Sequence, residues 1–185
     1  DGATRSGTVF RMTSTGLLTT LYSFGSGSDG QSPFAALVEG KDGYFYGTTT
    51  VGGAYGSGTV FRMSPSGVLT TLLYFDGFNG ANPASPLVQA TDGSFYGTTP
   101  NGGANGFGTV FRLNVPTLSL NIELSGSHIV LSWPSWASDL LLQQTPDLTA
   151  SNWMAVTNSP AVTNLQNQVT LAPPSSGNTF YRLTH

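Results

Sequence analysis

Apolar and polar residues alternate with a period of two along the first two thirds of the chain. In residues 58–63, every second side chain from Thr59 falls on one side of an extended backbone, and Val60 and Arg62 fall on the other. This period is typical of β-strands and excludes an amphipathic helix. Further strands are predicted near 68–75, 85–91 and 94–99. The Asp-Gly pair at 92–93 predicts a tight primed turn between the last two.

A six-residue sequence occurs three times, with one change at its last position. "GTVFRM" occupies residues 7–12 and 58–63, and "GTVFRL" occupies 108–113, so the period is 51 residues and then 50. The one-residue difference falls between 25–29 and 76–79, where a loop tolerates a change of length. Four short antiparallel strands in a period of about 50 residues match the content of a β-propeller blade.

The repeated motif resembles a known family. The pattern "DGxFYGTTxxGGxxGxGTVFRxxxxGxLTTLxxF…GxxPxxxLV" resembles the gloeo/verruco tandem repeat of bacterial extracytoplasmic proteins, from residue 1 to about residue 113. The resemblance implies an extracellular or cell-surface location, and it implies no catalytic residues and no ligand.

Counting strands predicts incomplete blades at both ends of the repeat region. Residues 34–75 supply one full blade, 7–24 supply the final two strands of the blade before it, and 85–113 supply the first three of the blade after it. A propeller needs at least four blades, so apolar faces and strand edges are left uncovered. We therefore expect either a longer chain that carries the missing N-terminal blades or self-association into a ring or filament.

A second domain is predicted after the period is lost. We place the boundary so that residues 1–115 form the propeller-like repeat region and residues 116–185 form a small β-sandwich. Short apolar segments such as "HIVLSWP" and "FYRLTH", separated by Ser, Asn, Pro and Gly, favour that fold. The segment resembles the small fibronectin-like or immunoglobulin-like domain of many secreted bacterial repeat proteins. The predicted fold class is thus all-β throughout.

Composition narrows the function classes. Only 8% of residues are charged and the formal net charge is −3, so no basic surface is predicted for nucleic acid. The chain has no cysteine, which excludes disulfides and thiolate metal sites. No apolar run is long enough to span a membrane.

One arginine and one turn aspartate recur with the repeat. Arg11, Arg62 and Arg112 lie at equivalent strand positions, and Asp42 and Asp92 each precede a turn glycine. We interpret all five as structural residues, with the carboxylates capping their turns and the guanidinium groups bonding to turn carboxylates or carbonyls. The alternative is one sugar or carboxylate site per repeat that uses Arg62 and Arg112.

The remaining candidate functional residues are two loop aromatics and two histidines. Tyr55 and Phe107, in the variable glycine loops, are the aromatic residues free to stack on a sugar ring. His128 and His185 have no partner at ligand or catalytic spacing, so no catalytic residue, metal or cofactor is predicted. We expect a non-enzymatic structural or adhesive protein that assembles through its blades. The alternative is a lectin-like module that binds glycans.

Overall fold

A computed structural model describes residues 5–25, 27–149 and 151–185. The described chain is built from β-strands, with a single 3-10 turn at Ser135–Ala137, so the all-β prediction is confirmed. It divides into two compact units, Asp1–Pro116 and Thr117–His185. Each unit is described separately below.

The described residues of the first unit form nine strands. In chain order they are β1 (Thr8–Met12), β2 (Leu18–Ser23), β3 (Val38–Glu39), β4 (Phe45–Thr49), β5 (Thr59–Met63), β6 (Leu69–Tyr74), β7 (Val88–Gln89), β8 (Phe95–Thr99) and β9 (Thr109–Leu113). They form three antiparallel sheets: the first sheet β1-β2, the central sheet β3-β4-β5-β6, and the third sheet β7-β8-β9. Two, four and three strands are the numbers that the repeat predicts.

Equivalent strands pair in the same way in each sheet. Tyr46 lies opposite Arg62 in the central sheet, and Tyr96 lies opposite Arg112 in the third. The pairing of β1 with β2 shifts register between Val9 and Phe10, and β5 with β6 shifts at the equivalent point. Such a shift marks a β-bulge, which inserts an extra residue and increases the local twist.

Two local predictions were wrong in detail. The strand expected over 85–91 pairs only at Val88–Gln89, where it follows Pro86, a residue without an N–H to donate. The Asp-Gly turn at 92–93 is a three-residue loop, because the Ala90 N–H donates to the Ser94 carbonyl, the Gly93 N–H donates to the Ala90 carbonyl, and only Gly93 of residues 91–93 has positive φ. The turn at 42–43 has the same hydrogen bonds. A primed turn would need positive φ at the aspartate as well.

Aromatic residues fill the space between the three sheets. Phe24 meets Phe61 edge to face with ring centroids 5.3 Å apart, and Phe75 meets Phe111 in the same way at 5.1 Å. In both pairs, the first phenylalanine directly follows the last strand of one sheet, β2 or β6. The second phenylalanine lies in the third strand of the next sheet, β5 or β9. The sheets therefore pack face to face through contacts that recur with the repeat.

In the second unit, the part of the chain that the structure describes forms seven strands in two antiparallel sheets. They are β10 (Asn121–Ser125), β11 (His128–Pro134), β12 (Leu141–Thr145), β13 (Met154–Ala155), β14 (Ala161–Thr163), β15 (Gln166–Leu171) and β16 (Phe180–Thr184). The sheet orders are β10-β11-β15-β14 and β13-β12-β16. Buried residues from both sheets, including Trp133, Leu142 and Val169, form one apolar core. The Trp133 indole N–H donates to the Ala137 carbonyl, which satisfies its buried donor.

Within the part of the chain that the structure describes, no helix has the length and apolar character needed to cross a membrane.

Candidate functional site

The two faces of the central sheet are covered, whereas the outward faces of the first and third sheets are open. All five residues of β5 are buried. Val60 is 0% exposed between the central and third sheets, but its equivalent Val110 in β9 is 79% exposed. Tyr46 is 0% exposed and its equivalent Tyr96 is 37% exposed. Packing between sheets, and not position in the strand, therefore decides the burial of these residues.

Tyr46 makes the closest aromatic contact between the sheets described here. Its ring stacks on Phe95 of β8, with centroids 4.0 Å apart and ring planes 30° apart. Its hydroxyl donates to the Asp42 carboxylate across 2.6 Å. Burial is the main cause that raises the pKa of Tyr46 well above its ordinary value, and the hydrogen bond to Asp42 adds to it. The phenol therefore stays neutral, which suits a buried ring.

The turn before Tyr46 contacts the third sheet as well. The backbone N–H of Lys41 donates to the Gln89 side-chain carbonyl at 3.1 Å, and the Lys41 ammonium donates to the Thr91 carbonyl at 3.4 Å. The β3-β4 hairpin, residues 38–49, thus presents a continuous surface to the next sheet through its turn and its second strand.

The three repeated arginines have different surroundings. Arg62 is buried, and its guanidinium lies over the Tyr44 ring at 4.9 Å from the centroid. Arg112 is half exposed and donates to the Asp92 carboxylate at 3.0 Å and to the Ser94 hydroxyl at 2.9 Å. Arg11 is exposed. Because Arg62 is buried, a ligand could reach its guanidinium only if the sheets separated.

One substitution between the repeats accounts for part of this difference. The position after the turn glycine is Tyr44 in the central sheet and Ser94 in the third. An aromatic ring offers the arginine a face for a cation–π contact, and a small hydroxyl offers a hydrogen bond and leaves room to reach the aspartate.

The turn aspartates accept backbone hydrogen bonds. Asp42 accepts from the Tyr44 N–H at 3.2 Å, and Asp92 accepts from the Ser94 N–H at 3.0 Å. The Ser94 N–H is the main cause that lowers the pKa of the Asp92 carboxyl, and the Arg112 guanidinium contributes less. In the central sheet, the bond to Asp42 holds the hairpin tip in shape for its contact with the third sheet.

Threonine pairs fasten the connections between sheets. The hydroxyls of Thr49 and Thr59 lie 2.8 Å apart, and Thr59 donates to a linker carbonyl at Asp29. The same arrangement recurs at Thr99 and Thr109, 2.9 Å apart. The linker glycine beside each pair leaves no room for a side chain: a Cβ on Gly30 would overlap the Thr49 hydroxyl, and Gly80 meets the second pair in the same way.

The candidate ligand aromatics lie apart from these interfaces. Tyr55 is an exposed residue of the loop between β4 and β5, and Phe107 is an exposed residue of the loop between β8 and β9. Arg62 and Arg112 lie on strands β5 and β9 that follow those loops. Neither ring is held against a fixed polar group by any described hydrogen bond, so the structure adds no built sugar site around them.

A cavity lies between the first and central sheets. It has a volume of about 480 Å³ and is lined on one side by Val9, Phe10 and Arg11 of β1, and on the other by Glu39 and Phe45. We call it the β1 cavity. Sequence reasoning missed it, although the uncovered edge of β1 was predicted from the strand count.

Among the described residues, no group of three or more His, Asp or Glu side chains comes together as a metal-ligand set. His185 lies 3.6 Å from the Asp139 carboxylate, and His128 lies 3.3 Å from the Ser127 hydroxyl. The contacts described above bind protein to protein, and the site they define is the set of inter-sheet faces.

The Gloeobacter/Verrucomicrobia repeat family model matches residues 1–134. The matched segment contains all three sheets of the first unit and continues into β11 of the second. No curated protein and no solved structure shows significant similarity to the chain. Because the match spans more than half of the sequence, and because three copies of the motif form equivalent sheets, the chain belongs to the Gloeobacter/Verrucomicrobia repeat family.

Proposed function

We propose that this chain is a structural repeat module whose sheets stack on further sheets of the same kind, as blades stack in a β-propeller. In this role it assembles or adheres outside the cell or at its surface. The resemblance of the motif to bacterial extracytoplasmic repeats supports this proposed location. The second unit would act as an immunoglobulin-like or fibronectin-like sandwich, and its two sheets around Trp133 support this part of the proposal.

One observation carries the proposal. The outward face of β9 and β8 presents Val110 and Tyr96, whose equivalents Val60 and Tyr46 are fully buried between sheets. Exposed apolar surface of this kind marks an interaction site when it forms one contiguous face. The face already has the shape and side chains that bind a neighbouring sheet in the central interface, so a further sheet is the partner that fits it best.

Light scattering over a range of protein concentrations tests the proposal. We expect the chain to associate as its concentration rises, and we expect Val110→Lys to abolish the association, because it places a charge at the centre of the open face. Val68→Lys is the matched control, since Val68 is also exposed but lies in the turn between β5 and β6. A wild-type chain that stays monomeric at every concentration, or equal association by both variants, would contradict the proposal.

A second candidate function is glycan binding. Exposed Tyr55 and Phe107, each at a glycine-rich loop, favour it because flat aromatic surfaces pack against sugar rings. A glycan array with the wild-type chain and a Tyr55→Ala, Phe107→Ala double variant tests it. Binding that is lost in the double variant supports this function, and the absence of any bound glycan rejects it.

A further inference from the structure

The free edge of β1 lies next to the β1 cavity. In the described residues, β1 pairs only with β2, whereas its equivalents β5 and β9 each pair with a "FYGTT" strand. The cavity is lined by β1 on one side and by the central sheet on the other. An unpaired strand edge beside an apolar cavity is a template for adding a strand.

The next interface in the same chain shows what fills this position. By the repeat, the lining residues Arg11, Glu39 and Phe45 correspond to Arg62, Gln89 and Phe95.

In that interface all three positions face one hairpin, β3-β4. Tyr46 of the hairpin stacks on Phe95, its turn residue Lys41 donates to Gln89, and Arg62 lies opposite Tyr46 in the strand pair. The β1 cavity is therefore lined by the residues that receive a hairpin elsewhere in the molecule, and its free strand edge is the one to which that hairpin pairs.

We propose that the β1 edge and the β1 cavity form a docking site for a β-hairpin of the sequence type LVxxxDGxFYGTT, the first two strands of a further repeat. This inference rests on the proposed function and specifies its partner and register. The hairpin's tyrosine lies opposite Arg11 and stacks on Phe45. Its turn aspartate lies beside the Arg11 guanidinium, as Asp92 lies beside Arg112.

Charge favours this occupant over a purely apolar one. The cavity carries a cation at Arg11 and an anion at Glu39. The turn aspartate of the hairpin would pair with Arg11. A basic turn residue at the position of Lys41 would approach Glu39. An aliphatic peptide would leave both charges without partners.

The docked hairpin supplies the first two strands of a sheet in which β1 is the third strand. In a folded second copy of this chain, the β7-β8 hairpin is already paired with β9 along residues 95–99. It cannot pair with β1 of another molecule without releasing β9. The structure thus assigns the site to a repeat unit that lacks its own third strand, and not to an intact copy.

An extension of the chain provides the first test. A copy of residues 85–101 is joined to Asp1, which aligns with Gly102, so the loop to β1 keeps its native length. We expect the thermal midpoint of the first unit to rise by about 5 °C or more, and the β1 amides to become protected from hydrogen exchange. The control is the same extension with Tyr96→Ser in the copied segment, which should lose most of the gain. An unchanged midpoint with unprotected β1 amides, or equal gains from both extensions, would overturn the inference.

A peptide in trans provides the second test. We expect a fluorescein-labelled peptide of residues 85–99 to bind the full chain saturably by anisotropy, and Phe45→Leu to weaken binding at least about 10-fold. Phe78→Leu, a change at an exposed linker phenylalanine, is the matched control and should leave binding unchanged. Displacement of the peptide by intact unlabelled chain would show that a second copy is the occupant and refute the assignment. The peptide is tested in dilute chain carrying Val110→Lys, so failure of self-association and failure of hairpin docking are separate results.

Discussion

Replacing equivalent tyrosines in adjacent repeats should have unequal effects on stability. Tyr46 and Tyr96 both lie in "FYGTT" and both pair with an arginine across the strand. They differ in what covers them, because Tyr46 is covered by the third sheet and Tyr96 is partly open. Comparing Tyr46→Ala with Tyr96→Ala therefore measures the stacking of one sheet on the next while the local sequence is held constant.

The size of the difference follows from the burial of the two rings. A fully buried tyrosine removes roughly 200 Å² from water, and the 37% exposure of Tyr96 returns roughly 70 Å² of that, or about 1.8 kcal/mol. The stacking of Tyr46 on Phe95 and its hydrogen bond to Asp42 together contribute about 2 kcal/mol more. We therefore expect Tyr46→Ala to lower the free energy of unfolding by about 4 kcal/mol more than Tyr96→Ala.

Urea denaturation of the full chain provides the measurement. Backbone amide signals of β4 and β5 follow the first unit, and tryptophan fluorescence follows the second, since Trp133, Trp136 and Trp153 all lie there. We expect both variants to leave the tryptophan transition in place. Equal losses of stability in the two variants would refute the conclusion that inter-sheet packing decides these contributions.

Three further outcomes are expected. Gly80→Ala should destabilise the first unit by about 2–4 kcal/mol, because its φ is +120° and a Cβ would lie 2.6 Å from two threonine hydroxyls, whereas Gly93→Ala, in open space at positive φ, should cost about 1 kcal/mol in urea titrations. Because the pKa of Asp92 is lowered in the native state, its ionised carboxylate stabilises that state above the ordinary carboxyl pKa, and this stabilisation is lost as pH falls through the lowered value. The free energies of unfolding of wild type and Asp92→Asn should therefore differ at neutral pH and become equal in acid. In an Arg112→Gln background, the difference at neutral pH should be smaller. Asn167→Ala removes a buried amide that donates to a backbone carbonyl at 3.1 Å, and it should lower the tryptophan-detected midpoint of the second unit by an amount equivalent to about 1–3 kcal/mol.

The sheet content of the repeat region could be predicted because it depends on short-range pattern. Alternation in 58–63 and its recurrence at a fixed interval predict the same strand on the same side in each copy. The number of strands in each sheet then follows from how many strand segments of the repeat each copy contains. These features need no knowledge of what lies across the interface.

The partners of repeated residues could not be predicted in the same way, because they depend on neighbours far along the chain. Arg62 and Arg112 both follow "GTVF", yet the residue at the turn, Tyr44 or Ser94, directs one to a ring and the other to a carboxylate. The β1 cavity was missed for a related reason: strand periodicity shows which face a residue occupies, but not whether anything covers that face. A signal was present in the "FY" dipeptide, whose two rings must point to opposite faces of a sheet and so contact two different neighbours.

The inter-sheet contacts have a consequence for how such chains change in length during evolution. Each period of about 50 residues carries one half of the contact to the sheet before it and one half of the contact to the sheet after it. Unequal crossing-over between repeats in the gene therefore joins a Tyr46-type surface to a Phe95-type surface whichever copies recombine. Whole periods can be gained or lost while every remaining junction keeps the same chemistry. The one-residue difference between the linkers at 25–29 and 76–79 falls outside the strands that form those junctions.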